Sequence, residues 1–480
     1  MRYPLFAVSS TGRSVNVSRE RRVNLFCEVR ESPDKAQLVF YGAPGKVQFC
    51  DLGDMPNRGM WAFGSYMYVV HLGTLYQIDS TGVATNRGTL STTTGKVSMA
   101  DNGTQLMIVD GTKGYIFNSS SNAFAVIASG FFSNPTTCWW QDGYFHASFT
   151  NSGRFQISAS YDGTTWDALD FANAEASPDS LVAGISQASQ VTLFGDSTTE
   201  FWSNTGAQDF PYSRVQGSTI EWGLAARWSV ARFKDGLAFL AKNKLGEVQV
   251  VLLMGYQVQV MSTTDHSAAI NAYSAISDAS AFSYIKGGHS FYQINFPTAG
   301  VSWVFDGLTG IWSELQSGSD GARDSGELGV QYRSKTYVSD YSTGKIYTLD
   351  LDTYTDNGST IVRELASRHV FSEQQLHVFR LWLDIETGVG NADAPGDDPQ
   401  VMLTVSKDGG HTWGTERLMN MGKTGEYTRR CYVTRLGRAY DWTFKFRISD
   451  PVKCVILGAW LDTESNAEDN FISPVPRQAA

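Results

Sequence analysis

The sequence predicts an all-β chain: a β-propeller of about seven irregular blades, then a β-sandwich-like domain completed by the N-terminal strands. Three observations carry this. Short strands rich in Val, Ile, Tyr, Phe and Trp alternate with Gly, Asn and Asp turns, and the pattern recurs every ~40 to 45 residues, the period of a four-stranded blade. Helix signals are confined to His266 to Tyr273, behind a capping Thr264 or Asp265. After a polar cluster at Tyr354 to Thr360 the period is lost, and about six further strands run to Asp462.

Composition sets the outer bounds. A chain of 480 residues with 42% hydrophobic, 18% charged and 13% aromatic residues is globular, with large flat side chains filling much of its core. Its net charge of −10 opposes the basic footprint of a nucleic-acid binder, yet suits a surface past which nucleic acid slides without sticking. No apolar run nears the ~20 residues that cross a bilayer; the longest, Val248 to Val260, is broken by Gln249, Gly255, Gln257 and Gln259. The N-terminal stretch has no apolar signal core, so synthesis and retention in the cytoplasm are expected, with exit only in an assembly or at lysis. Five scattered cysteines read as buried free thiols, and seven dispersed histidines form no metal motif. Neither a metal nor a cofactor is expected.

Taken in order, residues 1–58 read as a leader of short strands: Arg13 to Ser18, Arg22 to Cys27, Gln37 to Tyr41 and Lys46 to Cys50. These lack partners nearby and are expected to pack on the C-terminal domain or on a neighbouring subunit. Residues 59–355 hold the repeat. It opens with Met60 to Val70 and Thr74 to Asp79, continues at Lys96 to Phe117, and recurs at 139–167, 190–202, 228–260, 281–312 and 329–350. Residues 356–462 supply the sandwich strands: Val362 to Phe371, His377 to Glu386, Val401 to Ser406, Arg429 to Arg435, Asp441 to Ile448 and Val455 to Asp462. Residues 463–480 form a polar tail expected to order only against a partner.

One motif suggests chemistry. Ser406-Lys407-Asp408-Gly409-Gly410-His411-Thr412-Trp413 matches the Asp-box, and Ser160-Tyr161-Asp162-Gly163-Thr164-Thr165-Trp166 is a shortened copy. In such a turn the carboxylate (Asp408, Asp162) accepts from backbone amides, Ser406 helps, glycines (Gly410, Gly163) supply turn geometry, and the indole (Trp413, Trp166) closes it. Sialidase-like propellers carry several such boxes, so a glycan-binding or glycan-cleaving propeller is the alternative reading. A sialidase needs three arginines on a carboxylate and a Tyr–Glu nucleophile. Here Phe446-Arg447-Ile448 only superficially resembles one such arginine motif, lying after the boxes and ending in Ser449. The Asp350 to Tyr354 run lacks the later ligands of a calcium loop. Glu200, ahead of Phe201-Trp202, reads as a solvated or ion-paired strand residue rather than a catalytic acid.

The C-terminal block concentrates arginine and tyrosine. Arg429, Arg430, Arg435 and Arg438, with Tyr427 and Tyr432, are candidate contacts with another subunit or an adaptor, because Arg and aromatics are enriched at interface cores.

In chain order, Arg21-Arg22-Val23-Asn24-Leu25-Phe26 with Gly42-Ala43-Pro44-Gly45, Ser160 to Phe171, Leu193 to Trp202, Phe210-Pro211-Tyr212 and Ile220 to Leu224 form a recognisable series. With Ser262-Thr263, the closing Asp-box, Gly425 to Arg430 and Asp450-Pro451, it resembles the phage stabilisation (packaged-DNA stabilisation) proteins. These form the tail hub or nozzle of short-tailed bacteriophages. The resemblance implies a virion tail protein without enzymatic activity, made in the host cytoplasm, with an outward-facing propeller in each subunit. It implies a homohexameric ring below the head-to-tail adaptor, which closes the channel after packaging and conducts DNA at ejection. Further implied partners are the tail needle or plug and tailspikes or fibres; DNA passes without sequence-specific contact, and the chain inserts into no membrane.

Overall fold

The structure is a computed structural model that describes residues 5–7, 10–30, 36–128, 130, 132–174 and 179–464. The chain divides into two compact units, Ala43–Val362 and Met1–Gly42 with Arg363–Ala480. Beyond one short helix, Thr264–Asn271, the long elements are strands, and among the described residues no helix is long and apolar enough to cross a membrane. That helix is capped by Thr263, one residue earlier than the sequence suggested, whose side chain accepts from the His266 amide.

Residues 43–362 form the propeller. Asn57–Phe63, Tyr66–His71, Thr74–Ile78 and Ala84–Thr89 make an antiparallel meander, blade 1. The pattern repeats at 98–126, 135–173, 181–214, 223–260, 280–317 and 326–350, numbered blades 2 to 7 below. Six of these arrays are sheets with edges of their own inside the unit; the one at 280–317 is a four-stranded antiparallel array of the same kind. The inner strands neighbour one another in turn, and Gly326–Tyr332 returns against Asn57–Phe63, so the ring closes.

Apolar clusters bury the faces between blades, which is why each strand alternates core side chains on both sides of its sheet. Phe63, Tyr68, Leu106 and Phe117 join blades 1 and 2, and Phe194, Phe201, Leu237 and Phe239 join blades 4 and 5. Inner-strand glycines admit the neighbour's ring: a Cβ on Gly184 would lie 2.4 Å from the Trp139 indole.

The last blade borrows its outer strand from the front of the unit. Gly45–Asp54 pairs antiparallel with Thr343–Asp350, so the expected leader 1–58 is corrected: it divides at Gly42, and its last strand belongs to the propeller. A buried charge network locks this closure. Lys46 Nζ lies 2.5 Å from Asp324, 2.7 Å from Ser325 Oγ and 3.5 Å from Asp356, while Asp324 also accepts from Gln293 and the Gly326 amide. Burial works against the Lys46 charge, but the two carboxylates more than offset it and raise its pKa.

The second unit is a two-layer sandwich. One sheet orders Leu25–Val29, Leu38–Gly42, Val455–Glu464, Val370–Ile385 and the first part of Cys431–Ile448. The other combines Arg21–Val23, Arg363–Ala366, the end of Cys431–Ile448, Gln400–Ser406 and Arg417–Asn420. The 18-residue strand Cys431–Ile448 therefore serves both layers, and it turns at Arg435 and Gly437, both with positive φ. The two strands expected within 429–448 are thus one long, bulged strand, because register shifts let a strand bend without ending, and within 362–386 the break falls after Ala366, so that the second strand starts at Val370 instead of His377. Arg13 to Ser18, expected as a strand, is instead a local turn in which the Gly12 amide bonds Ser18 O at 3.0 Å. From residue 465 the expected polar tail lies outside the described residues.

Candidate functional site

Three places could carry function: the two Asp-box turns, the arginine- and tyrosine-rich face of the sandwich, and the axis of the propeller.

Both Asp-box turns are closed mainly by their own hydrogen bonds, with outside support from Gln105, which accepts from the Gly163 amide at 2.8 Å, and from Arg19, which donates to Gly410 O at 2.9 Å. Asp408 accepts from the Thr412 amide at 2.9 Å and from Thr412 Oγ1 at 2.6 Å; Ser406 Oγ donates to it at 2.7 Å and accepts from the Gly410 amide at 2.7 Å. These bonds favour the ionised form and lower the Asp408 pKa. Asp162 likewise accepts from the Thr164 amide at 2.9 Å and from the Thr164 and Thr165 hydroxyls. Asp408 is committed to its own turn, and Asp162 to its turn and to Gln105 of the neighbouring blade at 3.5 Å. Trp166 is buried, donating to Gly163 O at 2.7 Å and packing on Phe132, whereas Trp413 is half-buried beneath the Lys445 ammonium, 4.6 Å from its ring centre.

On the sandwich, register sets Trp382 beside Tyr432 on one side and Trp460 on the other. Trp382 and Tyr432 lie 5.1 Å apart; the Arg380 guanidinium sits 4.9 Å from Trp382 and 5.4 Å from Tyr432, and Arg430 lies 5.7 Å from Trp382. The indole donates to Asp462 at 3.0 Å. Arg430 and Tyr432 thus come together, with Arg429 and the 74% exposed Tyr427 on the loop leading into that strand. Arg435 and Arg438 stand apart at the bend, Arg438 opposite His377. Sequence reasoning missed Arg380 and Trp382, although the alternation of buried Val378, Leu381 and Leu383 with polar or aromatic neighbours marks an outward face.

The propeller axis is an open channel of about 630 Å³, lined by the inner strands of all seven arrays. Arg58, Lys96, Arg227 and Arg232 line it against one carboxylate, Asp101, which accepts from the Trp61 indole at 2.7 Å. Glu200 is not on a solvated face, as expected, but buried, accepting from the Trp202 indole at 3.1 Å. It is held as a core hydrogen-bond partner because the indole N–H beside it also needs one. All five cysteines are free and buried, and among the described residues no His, Cys, Asp or Glu cluster could hold a metal ion.

The propeller and the sandwich each carry one Asp-box whose carboxylate is taken up in turn hydrogen bonds, so both boxes shape the fold. Two family models match the chain: bacteriophage P22 Gp10, beta-propeller, over residues 3–354, and bacteriophage P22 Gp10, beta-sandwich, over residues 362–464. The chain belongs to this phage stabilisation family. It is accordingly a non-catalytic structural protein of the bacteriophage tail hub, made in the host cytoplasm and part of the tail and head-to-tail machinery; the sialidase-like alternative gains no support. No curated protein sequence matches the chain. Among solved structures, the Neurospora crassa Pan2 WD40 domain is 8% identical with a TM-score of 0.43, covering 64% of this chain and 95% of that one. YCF48 bound to D1 peptide is 11% identical at 0.43, covering 68% and 98%, and the computationally designed Ika8 protein is 14% identical at 0.39, covering 69% and 99%. These likenesses are too slight to carry an argument.

Proposed function

We propose that this chain is the subunit of a hexameric nozzle ring that binds below the head-to-tail adaptor, closes the DNA channel after packaging and conducts DNA at ejection. Tail needle and tailspikes or fibres attach to the same assembly. The observation that supports it most is the surface cluster of half-buried Arg380 and Trp382 with exposed Arg430 and Tyr432, because stacked guanidinium and aromatic side chains left at a surface have the composition of an interface centre. Tyr427 and Arg429 extend that patch, and Arg435 and Arg438 form a second contact at the bend. The two Asp-box turns hold the shape of the unit each stands in and bind nothing. A net charge of −10 supports passage of DNA without retention, since an acidic wall repels phosphates.

The test is mass measurement and negative-stain imaging of the chain mixed with its adaptor. A six-fold ring is expected, and Arg430→Glu combined with Tyr432→Ala should weaken assembly at least tenfold while near-ultraviolet circular dichroism stays unchanged. A chain that remains monomeric beside the adaptor overturns the proposal.

A further inference from the structure

The axial channel carries cations that the fold itself does not neutralise. Arg58 is committed to the backbone, donating to Leu72 O, Thr92 O and Gly95 O. Lys96 meets Glu327 at 2.5 Å, and Glu327 also takes Arg323 at 2.9 Å and Ser280 at 2.7 Å. Arg227 and Arg232 differ. Arg227 donates only Nε, to Val182 O at 3.0 Å, and Arg232 donates one terminal nitrogen to Ser186 O at 2.5 Å; neither has a carboxylate partner among the described residues. Burial alone lowers the pKa of both, with no charged neighbour acting on either. Arg227 is partly buried and Arg232 exposed, so their remaining N–H donors face the channel and are open to an anion. The chain as a whole is strongly acidic, so this lining runs against its background.

Placement narrows the ligand. Val182 and Ser186 lie on one inner strand, Leu181–Gln187, four positions apart, so the carbonyls that hold the two cations lie roughly 13 Å apart. Much of the remaining lining is apolar, including Met60, Ala100, Ile185, Ala281, Phe282 and Leu328. A nucleic-acid strand calls for free cations along its whole path, and here Arg58 is taken by carbonyls and Lys96 by Glu327, which leaves only Arg227 and Arg232 among the lining cations. A volume of about 630 Å³ is that of a ligand site, and an extended chain covers ~13 Å in about four residues.

We propose that the propeller channel binds an extended peptide segment of a partner protein that carries two carboxylates about four residues apart, one taken by Arg227 and the other by Arg232, with apolar side chains between them. The channel is then a docking socket for an acidic loop or terminus, separate from the sandwich face.

The test titrates the full chain with positional-scanning pools of N-acetylated, C-amidated hexapeptides, followed by fluorescence anisotropy. Pools with Glu or Asp at two positions four apart should bind tightest. Arg227→Gln with Arg232→Gln should weaken them at least tenfold, and Arg227→Lys with Arg232→Lys should restore part of the loss. Arg232→Gln alone, at the exposed mouth, should weaken binding without touching the core. Equal binding by neutral or basic pools, no binding up to millimolar peptide, or indifference to the Gln variants overturns the proposal. A single-stranded oligonucleotide that outcompetes every acidic pool in an arginine-dependent manner overturns it too, assigning the channel to phosphates.

Discussion

The propeller and the sandwich bury comparable strands by opposite routes. In the propeller each strand pairs with its sequence neighbour, and only Gly45–Asp54 comes from afar. In the sandwich nearly every pairing is distant: Arg21–Val23 with Arg363–Ala366, Leu38–Gly42 with Val455–Glu464, Val370–Ile385 with both Cys431–Ile448 and Val455–Glu464. Local meanders cost little loop-closure entropy and repeat readily, whereas distant pairings tie chain ends into one core and must form together. The lesson is that the propeller should fail at its single non-local seam, and the sandwich wherever its long strands bend.

The largest effect should come at that seam. Lys46→Met leaves Asp324 and Asp356 buried without their cation and should cost about 3–5 kcal/mol, read as a lower urea midpoint for the propeller with the sandwich unmoved. Equal loss in both units would show that the seam is not specific to the propeller. Next, Gly184→Ala forces a methyl into the Trp139 ring and should cost about 1–3 kcal/mol by calorimetry, testing whether inner-strand packing also limits the propeller. In the sandwich, Ser406→Ala strips the buried hydroxyl from the Gly410 amide and should cost about 1–2 kcal/mol, with hydrogen exchange rising at Gly410 and Thr412.

The smallest test separates the units by pH. His146 is fully buried between Trp139 and Phe155, and burial pulls its pKa from 6.5 to about 3. Below pH 6.5 only the unfolded chain takes that proton, so the propeller should lose up to ~1.4 kcal/mol per pH unit, and His146→Phe should flatten the slope. His369 in the sandwich has the opposite sign. Its hydrogen bond to Asp441 at 2.9 Å raises its pKa, so its contribution is fully present below 6.5 and is lost as pH rises through the raised value. Parallel pH responses of the two units in calorimetry would contradict this contrast.

Much of the propeller was legible because blade period and strand alternation are local signals. Met60 to Asp79 and Gln105 to Phe117 could be read as strands and turns from their own residues. The functional surfaces were only partly legible. Tyr432 and Arg430 stood out by composition, but Arg380 and Trp382 lie some fifty residues earlier and join them only through cross-strand register. Nothing in the local pattern distinguishes Arg227 from Arg58; what separates them is whether carbonyls or open channel lie within reach.

The sequence by itself determined the all-β class, a change of architecture near residue 360 and both Asp-box turns, because strand period and short polar turns depend on residues a few positions apart; the expected boundary after residue 355 moves to Val362, since Asp356 pairs with Lys46 in the propeller. Only the tertiary structure decided that Lys46 closes the ring, that one strand serves both sandwich layers and that two arginines stay uncompensated at the axis. Those outcomes rest on which distant groups meet after folding, where a charge either finds its partner or remains open to one.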